Sequence, residues 1–270
     1  MFTSNTLQAN GLTQHYYRSG GAKLPLVLLH GFTDDGSCWF PVAEVLAQDY
    51  DVILPDARGH GQSSRIADIG FDNEALAEDV AALISALKLN RPAVLGHSMG
   101  SFTALILAAK HPELVGCLLL EDPPLAPPPT PEMEAARGTG MQQWADNLRR
   151  MQGQSLEELA AGEGQRSPRW SAAELQYWAA ALQRVDLDVF AARSPRPVWQ
   201  ALMQQVACPV LLLYGDNHTL VDDSIAQEAA ALWKDGQAVQ IADAGHSIRR
   251  DNAPDYLEAV SAFLSEHYAG

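Results

Sequence analysis

The sequence predicts an α/β chain: a doubly wound, mainly parallel sheet carrying a helical insertion. Two patterns predict it. Short, nearly unbroken Val/Leu/Ile runs alternate with longer stretches whose apolar residues recur every three or four positions. One proline-rich block then interrupts that rhythm and introduces a stretch that is helical only. Strand–helix alternation implies parallel strands with helices on both faces, and unbroken apolar runs imply strands covered on both sides.

In chain order, residues 7–9 and 12–17 flank Asn10-Gly11 and read as a β-hairpin, because Asn-Gly supplies the two positive φ angles of a tight two-residue turn. Further strands are expected at 25–30, 50–55, 92–96, 115–120, 209–214 and 238–241. Amphipathic helices are expected at 73–87, where Leu76, Val80, Leu83, Ile84 and Leu87 share a face, and again at 224–233 and 255–267. The block Pro123-Pro124-Leu125-Ala126-Pro127-Pro128-Pro129-Thr130-Pro131 continues neither helix nor strand. Beyond it, 141–151, 156–160 and 172–185 are helical, and Trp144, Trp170, Tyr177, Trp178 and Trp199 bring apolar bulk to the region or its edge. Such content argues against a floppy linker. The expected organisation is a core of 1–122 and 197–270 with a helical lid, 123–196, inserted between two strands.

The 270 residues are 47% apolar, enough for one sizeable core. A formal net charge of −15 repels phosphate backbones and anionic lipid, so no nucleic acid and no membrane surface is expected as a partner. Cys38, Cys117 and Cys208 form an odd set with no C-x-x-C pair, and they read as free core thiols. The first ten residues lack a basic region followed by an apolar stretch, and no apolar run is long enough to cross a bilayer, so a cytoplasmic location is expected.

Gly96-His97-Ser98-Met99-Gly100 closes one predicted strand and opens the helical stretch 101–110. G-x-S-x-G between strand and helix makes a sharp turn that lifts a serine hydroxyl above the sheet, and the helix N-terminus favours developing negative charge. Ser98 is therefore the candidate nucleophile. His30-Gly31-Phe32 closes another strand, and in this architecture the backbone N–H groups of Phe32 and Met99 would face a common oxyanion. Ala244-Gly245-His246-Ser247 follows the last strand. A serine hydroxyl needs a base within hydrogen-bond reach, and His246 comes last in chain order as this arrangement requires. The other histidines read as structural: His30 held beneath its loop, His60 bracing Arg58-Gly59-His60-Gly61, and His97 diverging from Ser98 at the turn.

With these pieces assembled, the chain resembles the α/β-hydrolase superfamily over essentially its whole length. The matching motifs are His30-Gly31-Phe32, Asp56-Ala57-Arg58-Gly59-His60-Gly61-Gln62-Ser63, Gly96 to Gly100, and Ala244-Gly245-His246. The resemblance implies a catalytic acid that orients His246. Its commonest place is a G-x-x-D after the penultimate strand, but here Gly215-Asp216-Asn217-His218 puts a histidine there. Asp216, or Asp222 or Asp223 further along, could substitute. In some branches the acid instead follows the strand before the lid, where Leu118-Leu119-Leu120-Glu121-Asp122-Pro123-Pro124 offers Asp122. The run from Ala244 to Asp251 is similar to a group of amide-cleaving hydrolases and a lactonase with that arrangement, so Asp122 is favoured and Asp216 is the alternative acid.

The implied activity is carboxylic-ester hydrolysis of a small acyl substrate through an acyl-enzyme on Ser98. Amide, lactone or C–C bond hydrolysis on the same residues is the alternative, and a silent ligand-binding member of the fold is the remoter one. No cofactor and no metal are expected, since no H-E-x-x-H, C-x-x-C or phosphate-binding glycine loop is present. Arg249 and Arg250 read as surface charges, with contact to a substrate carboxylate as the less favoured role.

Overall fold

A computed structural model describes residues 1–66, 69–126, 130–191 and 197–268, the side chains of 131, 134 and 135 excepted. Eight strands form one sheet: β1 (Thr3–Ala9), β2 (Leu12–Arg18), β3 (Pro25–Leu29), β4 (Asp51–Pro55), β5 (Ala93–His97), β6 (Cys117–Glu121), β7 (Val210–Gly215) and β8 (Gly236–Ile241). Their spatial order is β1-β2-β4-β3-β5-β6-β7-β8. The first two strands are an antiparallel hairpin, and β2 also runs antiparallel to β4; every pairing from β4 to β8 is parallel. Asn10 and Gly11 take the expected positive φ values of 49° and 77°.

Ten helices accompany the strands among the described residues: α1 (Phe40–Leu46), α2 (Asn73–Ala86), α3 (Met99–Lys110), α4 (Pro131–Met151), α5 (Leu156–Arg166), α6 (Ala172–Leu182), α7 (Trp199–Met203), α8 (Asp223–Ala230), α9 (Ile248–Asp251) and α10 (Ala253–His267). Alternation along β3 shows how the layers are built. Val27 and Leu29 face a core shared with α2, α3, α7 and α8, while Leu26 and Leu28 face a second core with α1 and α10. Side chains of successive strand residues point to opposite faces, so an all-apolar strand serves both cores.

Two expectations need correction. Residues 238–241 were expected to be covered on both faces, but β8 ends the sheet and is largely exposed up to Ile241. Pro131 does not stop a helix. It occupies the first turn of α4 behind the Thr130 cap, whose hydroxyl accepts the Met133 N–H, and that is where a missing N–H costs nothing. Pro127, Pro128, Pro129 and the expected boundary at Arg196 lie outside the described residues. Cys38, Cys117 and Cys208 are buried and free.

Between β6 and β7, helices α4 to α6 and the turn Leu187–Phe190 form a separate small core. Ala145, Leu148, Leu159, Ala160, Ala179, Leu182, Val185, Val189 and Phe190 meet there with Ile66. Ser155 and Ser171 begin α5 and α6 with reciprocal capping boxes through Glu158 and Glu174.

Candidate active site

The strand order reverses direction between β3 and β5, and in open parallel sheets the crevice at such a switch, outside the carboxyl ends of the strands, is where ligands bind. The ends of β3, β5 and β6 carry His30-Gly31-Phe32, Ser98 and Asp122. Ser98 sits at φ 51° and ψ −111°, a conformation that L-residues rarely adopt, between β5 and α3. The flanking glycines are required by close approach. A Cβ on Gly96 would lie 2.3 Å from the Gly100 backbone, and one on Gly100 would lie 2.1 Å from the Leu29 carbonyl oxygen. The turn is further pinned by the Ser98 N–H, which donates to the Glu121 carbonyl at 2.9 Å.

His246 and Ser98 line one cavity of about 320 Å³, together with Phe32, Met99, Arg137 and Trp144 among others. The Nδ1–H of His246 donates to Asp122 Oδ2 at 2.6 Å. Asp122 is fully buried, at φ 41°. Its remaining capacity is filled by the Leu220 N–H, 2.9 Å from Oδ2, and by the Val221 N–H, 2.9 Å from Oδ1. The loop after β7, where the commonest arrangement would place the acid, thus supplies donors to a carboxylate arriving from β6. Asp216 is engaged elsewhere. It accepts the N–H groups of Asp243 and Ala244 at 3.0 and 3.2 Å, and the Asp243 bond leads the effects that lower its pKa. It braces the turn before His246. Asp222 caps α8 by accepting the Ile225 N–H at 2.8 Å, and Asp223 accepts the Tyr214 hydroxyl at 3.0 Å.

Met99 is the first residue of α3, so its N–H has no acceptor within the helix. His30 is held as expected, its Nδ1–H donating to the Gly31 carbonyl at 2.8 Å while Nε2 accepts the Ala57 N–H at 2.9 Å. The His60 Nδ1–H donates to the Arg58 carbonyl at 3.0 Å, and burial, aided by nearby His30, lowers its pKa to about 3. His97 does not simply turn away. Its Nε2–H donates to the His246 carbonyl at 2.9 Å, and the two rings lie 4.8 Å apart.

Arg249 and Arg250 are neither surface charges nor substrate contacts: they are 1% and 5% exposed and engaged with protein carboxylates. Arg249 reaches Glu121 at 3.2 Å and Asp34 at 3.2 Å, and Arg250 reaches both Asp34 oxygens at 3.0 Å. Their guanidiniums lie over Trp39 and Trp170, at 4.1 and 4.6 Å from the ring centroids. Burial opposes ionisation of Asp34, but Arg250 and Arg249 more than offset it and hold its carboxyl below the usual range. At Glu121 burial prevails over the pull of Arg249 and raises the pKa. A clue to this cluster lies in the sequence itself. Glu121 ends an unbroken apolar strand, and a charge inside such a run demands a partner. The pocket-lining roles of Arg137 and Trp144 left no comparable trace.

The fold and this constellation define a class, and comparison with known sequences agrees. The chain belongs to the alpha/beta hydrolase fold family, whose profile matches residues 25–252. It is 29% identical over 259 residues to N-formylmaleamate deformylase of Pseudomonas putida, covering 96% of this chain and 95% of that one. It is 25% identical over 276 residues to 2-(acetamidomethylene)succinate hydrolase of Mesorhizobium japonicum, covering 97% of this chain and 95% of that one. Among solved structures, a thermophilic esterase from Thermogutta terrifontis superposes with a TM-score of 0.78 at 25% identity, covering both chains fully.

Proposed function

We propose that the chain is a serine hydrolase acting through an acyl-enzyme on Ser98, and that its substrate is a small acyl compound bearing a free carboxylate. The observation that supports the mechanism most is the 2.6 Å bond from His246 Nδ1–H to buried Asp122, in a ring that shares its cavity with Ser98. That bond fixes the tautomer with the Nε2 lone pair free to take the Ser98 proton, and a carboxylate behind the ring stabilises the imidazolium that results. The hydroxyl oxygen then attacks the carbonyl carbon, with the Phe32 and Met99 N–H groups on the oxyanion. His246 returns the proton to the leaving nitrogen or oxygen. Water, deprotonated by the same ring, attacks the acyl-enzyme, and the acid product and Ser98 are released.

Arg137 on α4 lines the cavity, as does Asp72, whose side chain accepts the Ala75 N–H at the start of α2; the guanidinium supports the carboxylate. Two relatives matched over nearly their full length, a deformylase and a hydrolase, are named for a maleamate and a succinate, both acids carrying an amide-type nitrogen substituent, which favours C–N cleavage. Ester cleavage is the second reading, favoured by the structural likeness to the Thermogutta esterase. Helices α4 to α6 and the turn Leu187–Phe190 act as the lid that walls the pocket, contributing Arg137, Met141, Trp144 and Val189.

The test compares an N-acyl amide carrying a free carboxylate, its methyl ester at that carboxylate, and p-nitrophenyl acetate. Ser98→Ala is expected to lower kcat by at least about four orders of magnitude on every one of them. Arg137→Ala is expected to raise KM about 10-fold or more on the free acid alone, the scale of one lost charge-assisted hydrogen bond. Unchanged turnover in Ser98→Ala would refute the nucleophile, and equal rates on acid and methyl ester would refute the carboxylate.

A further inference from the structure

His97 connects three parts of the site. It is the residue before Ser98, its Nε2–H donates to the His246 carbonyl at 2.9 Å, and its Nδ1 abuts Gly31, where a Cβ would come within 2.6 Å. The nucleophile turn, the loop bearing the base and the loop bearing Phe32 therefore all touch one imidazole. The side chain is 5% exposed, so this bond is shielded from competing water. The partner of Nε2 is a carbonyl, so Nε2 carries the proton; in the neutral ring Nδ1 is then bare, and it has no hydrogen-bond partner. The groups facing the ring are Asp34, 4.0 Å from Nδ1, together with Arg249, Arg250 and His246. Burial and the neighbouring cations keep His97 neutral, its pKa well below the usual histidine value. Glycine at 31 is explained at the same time, because any larger residue would displace the ring.

We propose that His97 is a positioning residue for the hydrolysis: its Nε2–H fixes the main chain of the base loop against the nucleophile turn, so that His246 faces Ser98 in both acylation and deacylation. The proposal rests on the Ser98–His246 reading. It differs from a simple packing role because it depends on one donor at one distance. Glutamine can place its Nε2–H where the histidine Nε2–H lies, asparagine is one bond too short, and leucine fills space without donating.

The experiment measures kcat and KM on p-nitrophenyl acetate, with thermal midpoints, for His97→Gln, His97→Asn and His97→Leu beside Ser98→Ala. The expected result is kcat within about 3-fold of the parent for His97→Gln and a 10- to 100-fold loss for His97→Asn and His97→Leu, with KM little changed, the scale of a misplaced catalytic group. If His97→Leu does not fold, the Gln-to-Asn contrast decides. Equal kcat in the folded variants, whether all high or all low, overturns the proposal. A Ser98→Ala variant that still turns over would instead overturn the reading beneath it.

Discussion

The carboxyl edge of the sheet and the helical segment between β6 and β7 face the same cavity but are built on opposite principles. At the sheet edge the polar groups are deeply buried and tied to one another: Asp122 and Glu121 are 0% exposed, and Asp34 and Arg249 are 4% and 1% exposed. In the segment most charge lies outside, as in the exposed pair Arg149–Asp146, around a small apolar core, with Glu174 and Asp186 as buried exceptions. Fixed polar groups in a dry frame hold a reacting geometry without reorganisation, whereas a small core with a solvated shell can change shape at modest cost. On the proposed function, the chemistry belongs to the first region and the shape of the substrate pocket to the second. Substitutions in the two should fail differently.

The largest effect is expected at Asp122. Asp122→Asn keeps the volume but removes the charge and disturbs the His246 tautomer, and should lower kcat by about three to four orders of magnitude. Asp216→Asn should stay within a few-fold, since that side chain only braces Asp243 and Ala244. A steady-state assay on one ester decides the matter, and a collapse confined to Asp216→Asn would reverse the assignment.

What the sequence revealed and concealed follows the same division. The parallel strands, the turn at Ser98 and the chain order of Ser98 and His246 are legible because local sequence dictates them: apolar runs, paired glycines, and a strand ending in each motif. The pairing of His246 with Asp122 was accessible through the misfit at His218 and the strand end at Glu121-Asp122. The partners of Arg249 and Arg250 were not. Asp34 and Glu121 are separated from Arg249 by 215 and 128 positions, and only the folded sheet edge brings them together. The walls of the cavity were equally hidden, because helical periodicity tells which face is apolar but not what that face will cover.

Stability should be lost next at the buried charges. Arg249→Met leaves Glu121 without its main counter-charge and should cost about 3–5 kcal/mol, read by urea unfolding at pH 7. His60 gives a smaller, pH-dependent term. Its pKa is about 3 in the folded chain and near 6.5 when unfolded, so between those values the unfolded state binds more protons and stability falls as pH falls. At pH 5 this amounts to roughly 2 kcal/mol relative to pH 7.5. His97 contributes in the same direction. His60→Asn retains a donor for the Arg58 carbonyl and should shrink the loss between pH 7.5 and 5 by that amount; an unchanged loss would show that His60 does not carry it.

The mildest change is expected in the helical segment, and it is one of selectivity. Trp144 lines both the 320 Å³ cavity and a neighbouring groove of about 660 Å³ bounded by Leu148, Leu159, Trp178 and Leu182 on its apolar side and by Arg150, Glu158, Glu163 and Arg166 on its charged side. Its indole packs edge-on against Phe32 and Phe190, with centroids 5.0 and 5.4 Å away, and it lies on the border of the two spaces. Trp144→Ala should join them. Acetyl groups would gain nothing from the added space, whereas an octanoyl chain could bury several methylenes at about 0.8 kcal/mol each. Part of that gain is offset by ordering the chain. The ratio of kcat/KM for p-nitrophenyl octanoate over acetate should therefore rise about 5- to 20-fold, with the acetate kcat within about 3-fold of the parent. A comparable fall on both esters would mean that Trp144, through Phe32, belongs to the rigid region, and the boundary between the two regions would have to be redrawn at α4.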